Sequence, residues 1–521
     1  MDIRTKTIAT LNGLRRQSAW QVVLRYHEES KHRIGSSEPD ADRTGLAAPP
    51  DSYRSFKGAP SQQLPRKQKR LDVAAHALFR PGSIAPAPFS IENLGLLLDL
   101  AFGSSSLRPK GSGDRAHHAV PLERNLYPVE AYAVASSVSG LTDGLYHYAA
   151  QDHALELRCA GKVASAGLWL GLTSVRQRAV WQYGTRAFRY GGLDTGHAIA
   201  AVRYAAAALG WSARLVEGIQ QEALGVLLGT DRDDEFAGAA SEEPELLLEL
   251  RPKGRGLQTR FPMIATKVWY GSPNPCDPYT ACHCSKTEEV SAATRNVRLG
   301  AETDSFQPYA IARAPQQSEP KIPAEAIFNE EWCDARVPVP AISRQALFGL
   351  LDRVAAKWEG ATDFCGFTPS THLVLFAHNV EGLTQGLYIM PRSEDAAETI
   401  RADADPNFDW AREKGGLAHT PLYRLRAGCF RSQARTLFRG LPGTGQSALT
   451  IALLSDFATI VLDDPWRYRQ LLWEAGAVGQ ALCFEAHATG FEASGIDRFF
   501  DDEIHSLLGL SSIHFQSLYC L

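Results

Sequence analysis

Ser139-Gly140-Leu141-Thr142-Asp143-Gly144-Leu145-Tyr146 is repeated later in the chain as Glu381-Gly382-Leu383-Thr384-Gln385-Gly386-Leu387-Tyr388. The match continues beyond these octapeptides. Gly196, Gly210 and Leu227-Leu228-Gly229 return at identical separations as Gly476, Gly490 and Leu507-Leu508-Gly509. Solenoid units recur every few tens of residues. This repeat is far longer, so it reads as two fused copies of one domain. A fused pair mimics a homodimer, and a site at a dimer interface becomes a site between the halves.

The 521 residues leave room for such a pair plus flanking segments. A net charge of −4 and the lack of a basic stripe with interleaved aromatics argue against a nucleic-acid partner. The basic run Arg66 to Arg70 reads as a solvated loop. No apolar run approaches the roughly 18 residues of a membrane span. Arg4, Lys6, Arg15 and Arg16 interrupt any signal-peptide core before Trp20. With an odd, scattered set of 9 cysteines, the expectation is a reduced, cytoplasmic protein. Cys276, Cys282, His283 and Cys284 could ligate zinc, but the spacing fits no common module. A loop with spare thiols is the preferred reading, and no metal is expected.

Composition divides the chain into an arm (1–75), a first domain (76–255), a linker (256–322) rich in Pro, Ser, Thr and Gln, and a second domain (323–521). Within the arm, Leu14 to His32 has helical spacing. Ser90 reads as the N-cap of a helix from Ile91 to Phe102. Val129 to Val138 and Leu145 to Tyr148 form a hairpin. The alanine-dominated stretch from Gly196 to Leu209 is a helix that lets another backbone come close, and the expected partner is its repeat at Gly476 to Thr489. Arg214 to Gly218, and by repetition Glu492 to Ile496, re-enter a sheet. Short helices end at Gly229 and Gly509. The second copy carries an insertion, 391–440, readable as a lid or as a plain surface excursion.

Gly440 to Ser447 imitates a phosphate-binding loop. It has Gln446 where the charge of a lysine is required, so a nucleoside triphosphate is not expected. More chemistry sits between Trp181 and His197. Arg186 and Arg189 lie three apart on one helical face, flanked by Tyr183 and Tyr190. Two guanidiniums beside aromatic surface suit a phosphate on a flat heterocycle, or else surface ion pairs.

Asn125-Leu126-Tyr127-Pro128-Val129-Glu130-Ala131-Tyr132, Asp143 to Tyr148, and Trp181 to His197 together resemble the nitroreductase-like flavoenzymes of the SagB-type (thiazoline oxidase) dehydrogenase family. Tyr26 to Arg33, Phe56-Lys57 with Leu64-Pro65, and Gly271-Ser272-Pro273-Asn274 extend the likeness over nearly the whole chain. The resemblance implies an α+β fold, here two fused nitroreductase-like domains, each a mixed sheet flanked by helices, forming an intrachain pseudo-dimer. It implies FMN between the halves, in an oxidoreductase (dehydrogenase or oxidase) acting on a peptide-derived or other specialised metabolite. The cofactor supplies the redox chemistry and the protein supplies orientation and exclusion of water.

By that matching Asn125, Tyr127, Arg186 and Arg189 are the cofactor contacts of the first half, and Gly495 and Ile496 those of the second. His197 is an acid/base candidate, set against a packing or capping role. The family's phosphate-binding Arg-Ser-x-Arg survives only as Arg80 and Arg336, and its flavin-facing Pro-Ser-Ala-Gly reads Pro121-Leu122-Glu123-Arg124. One FMN per chain, or none, is therefore expected. The alternative is a flavin-free pseudoenzyme or scaffold subunit of a biosynthetic complex. Either a monomer with its internal pair or a homodimer suits the sequence.

Overall fold

The computed structural model describes residues 19–35, 49–65, 73–79, 83–103, 126–252, 259–276, 284–296, 323–328, 341–355, 362–364, 367–416, 420–439, 446–496 and 498–521. Asn125, Arg80, Arg336, Cys282, His283 and most of the Gly440 to Ser447 loop lie outside these residues.

Each half is a sheet with a long buried helix against it. The first half supplies β1 (Val129–Ser136), β2 (Gly144–Ala149), β3 (Ala154–Val163), β4 (Gly167–Ser174), β5 (Trp211–Leu215) and β6 (Glu243–Pro252). The second supplies β7 (Thr371–Ala377), β8 (Gly386–Met390), β9 (Leu449–Asp456) and β10 (Phe515–Cys520). Four strands run side by side in the order β2-β1-β4-β6 in one half and β8-β7-β9-β10 in the other. Repeated sequence has thus become repeated topology. Ladders within both large sheets are antiparallel, while parallel pairing occurs between Ile342–Ser343 and Val380–Glu381 and at the His32–Phe500 bridge.

The helices repeat as well. α1 (Ile91–Phe102) begins at Ser90, whose side chain accepts from the Asn93 amide, as the capping residue predicts. α2 (Ala187–Ala208) and α3 (Gln221–Leu228) follow in the first half. α4 (Ser285–Ala293) and α5 (Arg344–Val354) come next. Then α6 (Arg467–Ala488) and α7 (Asp501–Leu508) match α2 and α3 in length, with 22 and 8 residues. Gly229 and Gly509 take left-handed backbone (φ 74° and 70°) and end the two short helices.

α2 and α6 cross in backbone contact. A Cβ on Gly476 would sit 2.1 Å from the Leu193 carbonyl oxygen, and one on Gly196 would sit 2.3 Å from that of Trp473. The alanine runs beside these glycines leave little bulk to hold the helices apart, and both helices are buried almost throughout.

Two segments assigned by composition to the arm and the linker join the first sheet. Ser61–Gln63 and Ile264–Trp269 both pair with β3. Their mixed polarity is that of edge strands, which periodicity marks poorly. In the second half Glu492 to Ile496 forms no regular strand, and only Ile496 bridges Cys520. The 391–440 region folds against its own sheet: Tyr423–Ala427 pairs with β8, and Ile400, Phe408, Leu425 and Phe438 pack with Val374 and Phe376.

The opposite face of the first sheet buries an ionic layer. His147 on β2 contacts Glu156 at 2.9 Å and Glu130 at 3.2 Å, and Arg178 donates to Glu130 at 2.5 Å. Burial alone would lower the His147 pKa, but its hydrogen bonds to Glu130 and Glu156 reverse this and raise it to about 9. A histidine raised from 6.5 stabilises the fold fully below pH 6.5 and loses that contribution as pH climbs through about 9. The expected span is roughly 2–4 kcal/mol. Chemical denaturation from pH 6 to 10 should show this decline in the native chain and a flatter profile in His147→Gln.

Candidate functional site

The Val216 amide donates to the Leu247 carbonyl at 2.8 Å, and the Ile496 amide donates to the Cys520 carbonyl at 2.8 Å. This shared bond marks Leu215-Val216 and Gly495-Ile496 as equivalent positions. Each lies where one half meets the N-terminal turns of the other half's long helix, so the molecule has two seams.

Arg189 sits on the third residue of α2 and reaches across to the second half. It donates to Asp501 at 2.5 Å, to the Ser517 carbonyl at 2.7 Å and to the Leu518 carbonyl at 3.4 Å. Arg469, on the third residue of α6, reaches back to Glu243 at 2.5 Å and Glu245 at 2.8 Å. The two arginines are matched clamps between the halves. Arg469 was absent from the sequence-based candidates, although its place in the repeat opposite Arg189 marks it.

Arg186 donates to the backbone carbonyls of Ser30 (3.1 Å) and Lys31 (3.4 Å), which fastens the N-terminal arm to the seam. His32 of that arm contacts the Tyr190 hydroxyl at 2.9 Å, and its amide donates to Asp501 at 3.3 Å. Burial, and then the guanidiniums of Arg186, Arg189, Arg439 and Arg498, push its pKa down to about 2. His32 is therefore neutral within a concentration of positive charge. Arg439 lies 3.4 Å from its Nδ1. Asp501 pairs with Arg189, and Arg186, Arg439 and Arg498 add positive charge around His32.

Gly495 and Ile496 border the same seam. A Cβ on Gly495 would fall 1.8 Å from the Tyr519 hydroxyl, so that side of its backbone is filled. The Tyr519 hydroxyl meets His197 Nε2 at 3.1 Å, and His197 Nδ1 meets Gln480 at 2.7 Å. Burial lowers the His197 pKa to about 4. A neutral imbedded imidazole between both long helices and β10 has the surroundings of a packing residue. Tyr127 is half-buried beside Tyr53, with ring centroids 5.0 Å apart, and its carbonyl accepts from Arg178 at 2.5 Å.

The other seam is open and opposite in sign. A cavity of ≈ 140 Å³ lies between Val216 to Ile219 of the first half and Phe367, Trp466 and Trp473 of the second. Glu217, Asp463 and Asp464 line it, with Arg467 as the guanidinium in the lining. Glu245 also borders it but is held by Arg469 and by Ser174 at 2.6 Å.

No family model matches the chain. A curated protein of Methanocaldococcus jannaschii, named as a nitroreductase, is 27% identical over 138 residues. That match takes in 24% of this chain and 66% of the relative, just under two thirds of its length. A solved structure from Anabaena variabilis, also named as a nitroreductase, superposes on 96% of this chain and 98% of its own, with a TM-score of 0.66 and 18% identity. The fold is nitroreductase-like. Because a single solved chain covers nearly the whole length, both halves share in that likeness. A chain of the E. coli microcin synthetase McbBCD complex aligns along 46% of this chain and 94% of its own at a TM-score of 0.27 and 15% identity.

FMN needs cations for its phosphate and a flat space for its ring. The donor set around His32 fits the first requirement: Arg186, Arg439 and Arg498 carry charge beside a neutral imidazole. The cavity of the other seam fits a single ring in size, and its carboxylates suit no phosphate. Among the described residues no group of three or more His, Cys, Asp or Glu could hold a metal, and no helix is long and apolar enough to cross a membrane.

Proposed function

We propose that this nitroreductase-like chain is an FMN-dependent oxidoreductase with one cofactor held at the cationic seam. The observation that supports this reading is the gathering of Arg186 and Arg439 about the arm at Ser30 to His32, in a fold whose two large sheets repeat one strand order. Arg186, Arg439 and Arg498 would hold the phosphate, and the backbone at Gly495 and Ile496 would face the ring. When bound, FMN supplies the hydride-transfer chemistry. The protein's part is to fix and shield the group: the Arg189 clamp locks the seam, and the arm closes it through His32 and Lys31. Asn125, outside the described residues, and Tyr127 stay as further contacts in this proposal. The substrate class, a peptide-derived or other specialised metabolite, rests on the sequence resemblance alone, as does action within a biosynthetic assembly.

A second reading, a flavin-free scaffold, is favoured by two observations. Asp501 occupies Arg189, and the Tyr519 hydroxyl fills the space over Gly495. Equilibrium titration separates the two. FMN should bind, and Arg439→Ala with Arg498→Ala should weaken it tenfold or more while leaving riboflavin, which has no phosphate, unchanged. Equal loss for both ligands would remove the arginines from the phosphate site, and no uptake of either would favour the scaffold.

A further inference from the structure

Residues 19–35 of the arm lie on the cationic seam, as a helix over 19–29 and the turn that follows it. Val23, Tyr26, His27, Ser30 and Lys31 are its buried stripe, at the spacing of one helical face. Two histidines stand in the contact. His27 Nδ1 lies 3.0 Å from the Tyr468 hydroxyl, and its Nε2 lies 3.2 Å from Gln516 Oε1. The Gln516 amide nitrogen donates to the Phe515 carbonyl at 2.8 Å, which turns Oε1 toward the ring. An amide oxygen only accepts, so Nε2 carries the proton and Nδ1 accepts from Tyr468. His32 Nδ1 lies 3.4 Å from the Arg439 guanidinium, which only donates. Its Nε2–H therefore donates to the Tyr190 hydroxyl at 2.9 Å. In each ring the bare nitrogen already faces a donor, so a second proton would point at another hydrogen.

The surrounding charge opposes that proton too. Arg189 of α2, Lys31 of the arm and His505 of α7 face His27. Arg186 and Arg189 of α2, with Arg439 and Arg498, face His32, while Asp501 of α7 accepts from the His32 amide at 3.3 Å. His505 Nε2 accepts from the Ser517 amide at 3.0 Å. Burial, and then these cations, hold His27 well below its ordinary 6.5 and His32 at about 2. A lifted arm would return both rings to water and to that ordinary value. Groups whose docked pKa is depressed in this way favour docking above pH 6.5, and docking weakens as pH falls below it. Asp501, raised by burial, works in the other direction, as one group against two. Asp502 is paired with Lys31 at 2.8 Å and held below its ordinary 3.8, so it weakens docking only in stronger acid. Further ties, Arg25 to Glu289 at 2.6 Å and Lys286 to Glu29 at 2.9 Å, are exposed ion pairs of small worth.

We propose that residues 19–35 form an acid-released strap: they cover the cationic seam while His27 and His32 are neutral, and lift from it when both take a proton. Lifting would uncover Arg186, Tyr190 and Asp501, which the strap touches in the docked state. Docking of the strap does not depend on what the seam binds, so it stands apart from the flavin reading.

Hydrogen–deuterium exchange of the full chain at pH 7.5 and pH 5.5, with each rate corrected for its intrinsic pH dependence, tests it. Peptides spanning 19–35 are expected to exchange about a hundredfold faster at pH 5.5, roughly tenfold for each histidine, while peptides from α2 and α6 stay unchanged. His27→Gln with His32→Gln removes both titrating rings and should abolish the acceleration, and either single substitution should leave about tenfold. The native span decides even where a substitution itself loosens the strap. Equal corrected exchange of 19–35 at the two pH values would overturn the proposal. So would acceleration of α2 and α6 together with the strap, which is acid unfolding of the whole chain, or an undiminished pH response in the double Gln variant.

Discussion

Gly476→Ala is expected to destabilise the chain by more than ~3 kcal/mol, although alanine is the better helix former by roughly 1 kcal/mol. The new methyl would meet the Leu193 carbonyl oxygen at 2.1 Å and the Gly196 Cα at 3.0 Å. Both are backbone atoms of a buried helix, so no side chain can rotate away. The helices must separate, and every alanine contact along their crossing loosens with them. Gly196→Ala should behave alike, with the Trp473 carbonyl oxygen at 2.3 Å. Gly191 in the same helix provides the control, because a Cβ there meets nothing within 4 Å. Gly191→Ala should be neutral or stabilising. Thermal unfolding of the three variants checks this, and equal behaviour of Gly191→Ala and Gly476→Ala would mean that the helices do not cross as described.

Arg189→Ala should cost about 3–5 kcal/mol, the usual penalty for leaving one member of a buried ion pair alone. The Asp501 side chain has 1% of its surface exposed and loses its guanidinium partner. Burial already raises the Asp501 pKa despite Arg189, so in the variant the carboxyl will bind its proton more readily still. An acid whose folded pKa exceeds its unfolded value destabilises the fold as pH rises through that range. The deficit of Arg189→Ala is therefore expected to be largest near neutrality and to shrink as pH falls. Denaturant midpoints at pH 7 and pH 5 measure it. A deficit independent of pH would mean that the Asp501 charge is not what the arginine answers.

Much of this architecture was legible in the sequence because it was written twice. The glycines at 196 and 476, the alanines around them and the Leu-Leu-Gly helix ends kept their spacing, and the structure pairs those helices. What could not be read was contact across the fold. Arg189 looked like a phosphate ligand because its partner, Asp501, is 312 residues away. Glu130, His147 and Glu156 lie on three different strands, and only the register of β1, β2 and β3 brings them together. Tyr519 and Gly495 fit as a large–small pair, and no local pattern announces it. The His32 cluster gathers residues from the arm, α2 and two loops of the second half. Its one local sign was the Tyr26 to Arg33 signature, which the resemblance had already picked out.

The opposed charges of the two seams make the central claim quantitative. Titrating the flavin-free full chain with FMN, followed by quenching of flavin fluorescence, is predicted to saturate at one equivalent per chain. Saturation at two equivalents would mean that the acidic seam takes the cofactor as well, and no saturation would mean that neither seam does. Either result contradicts the account.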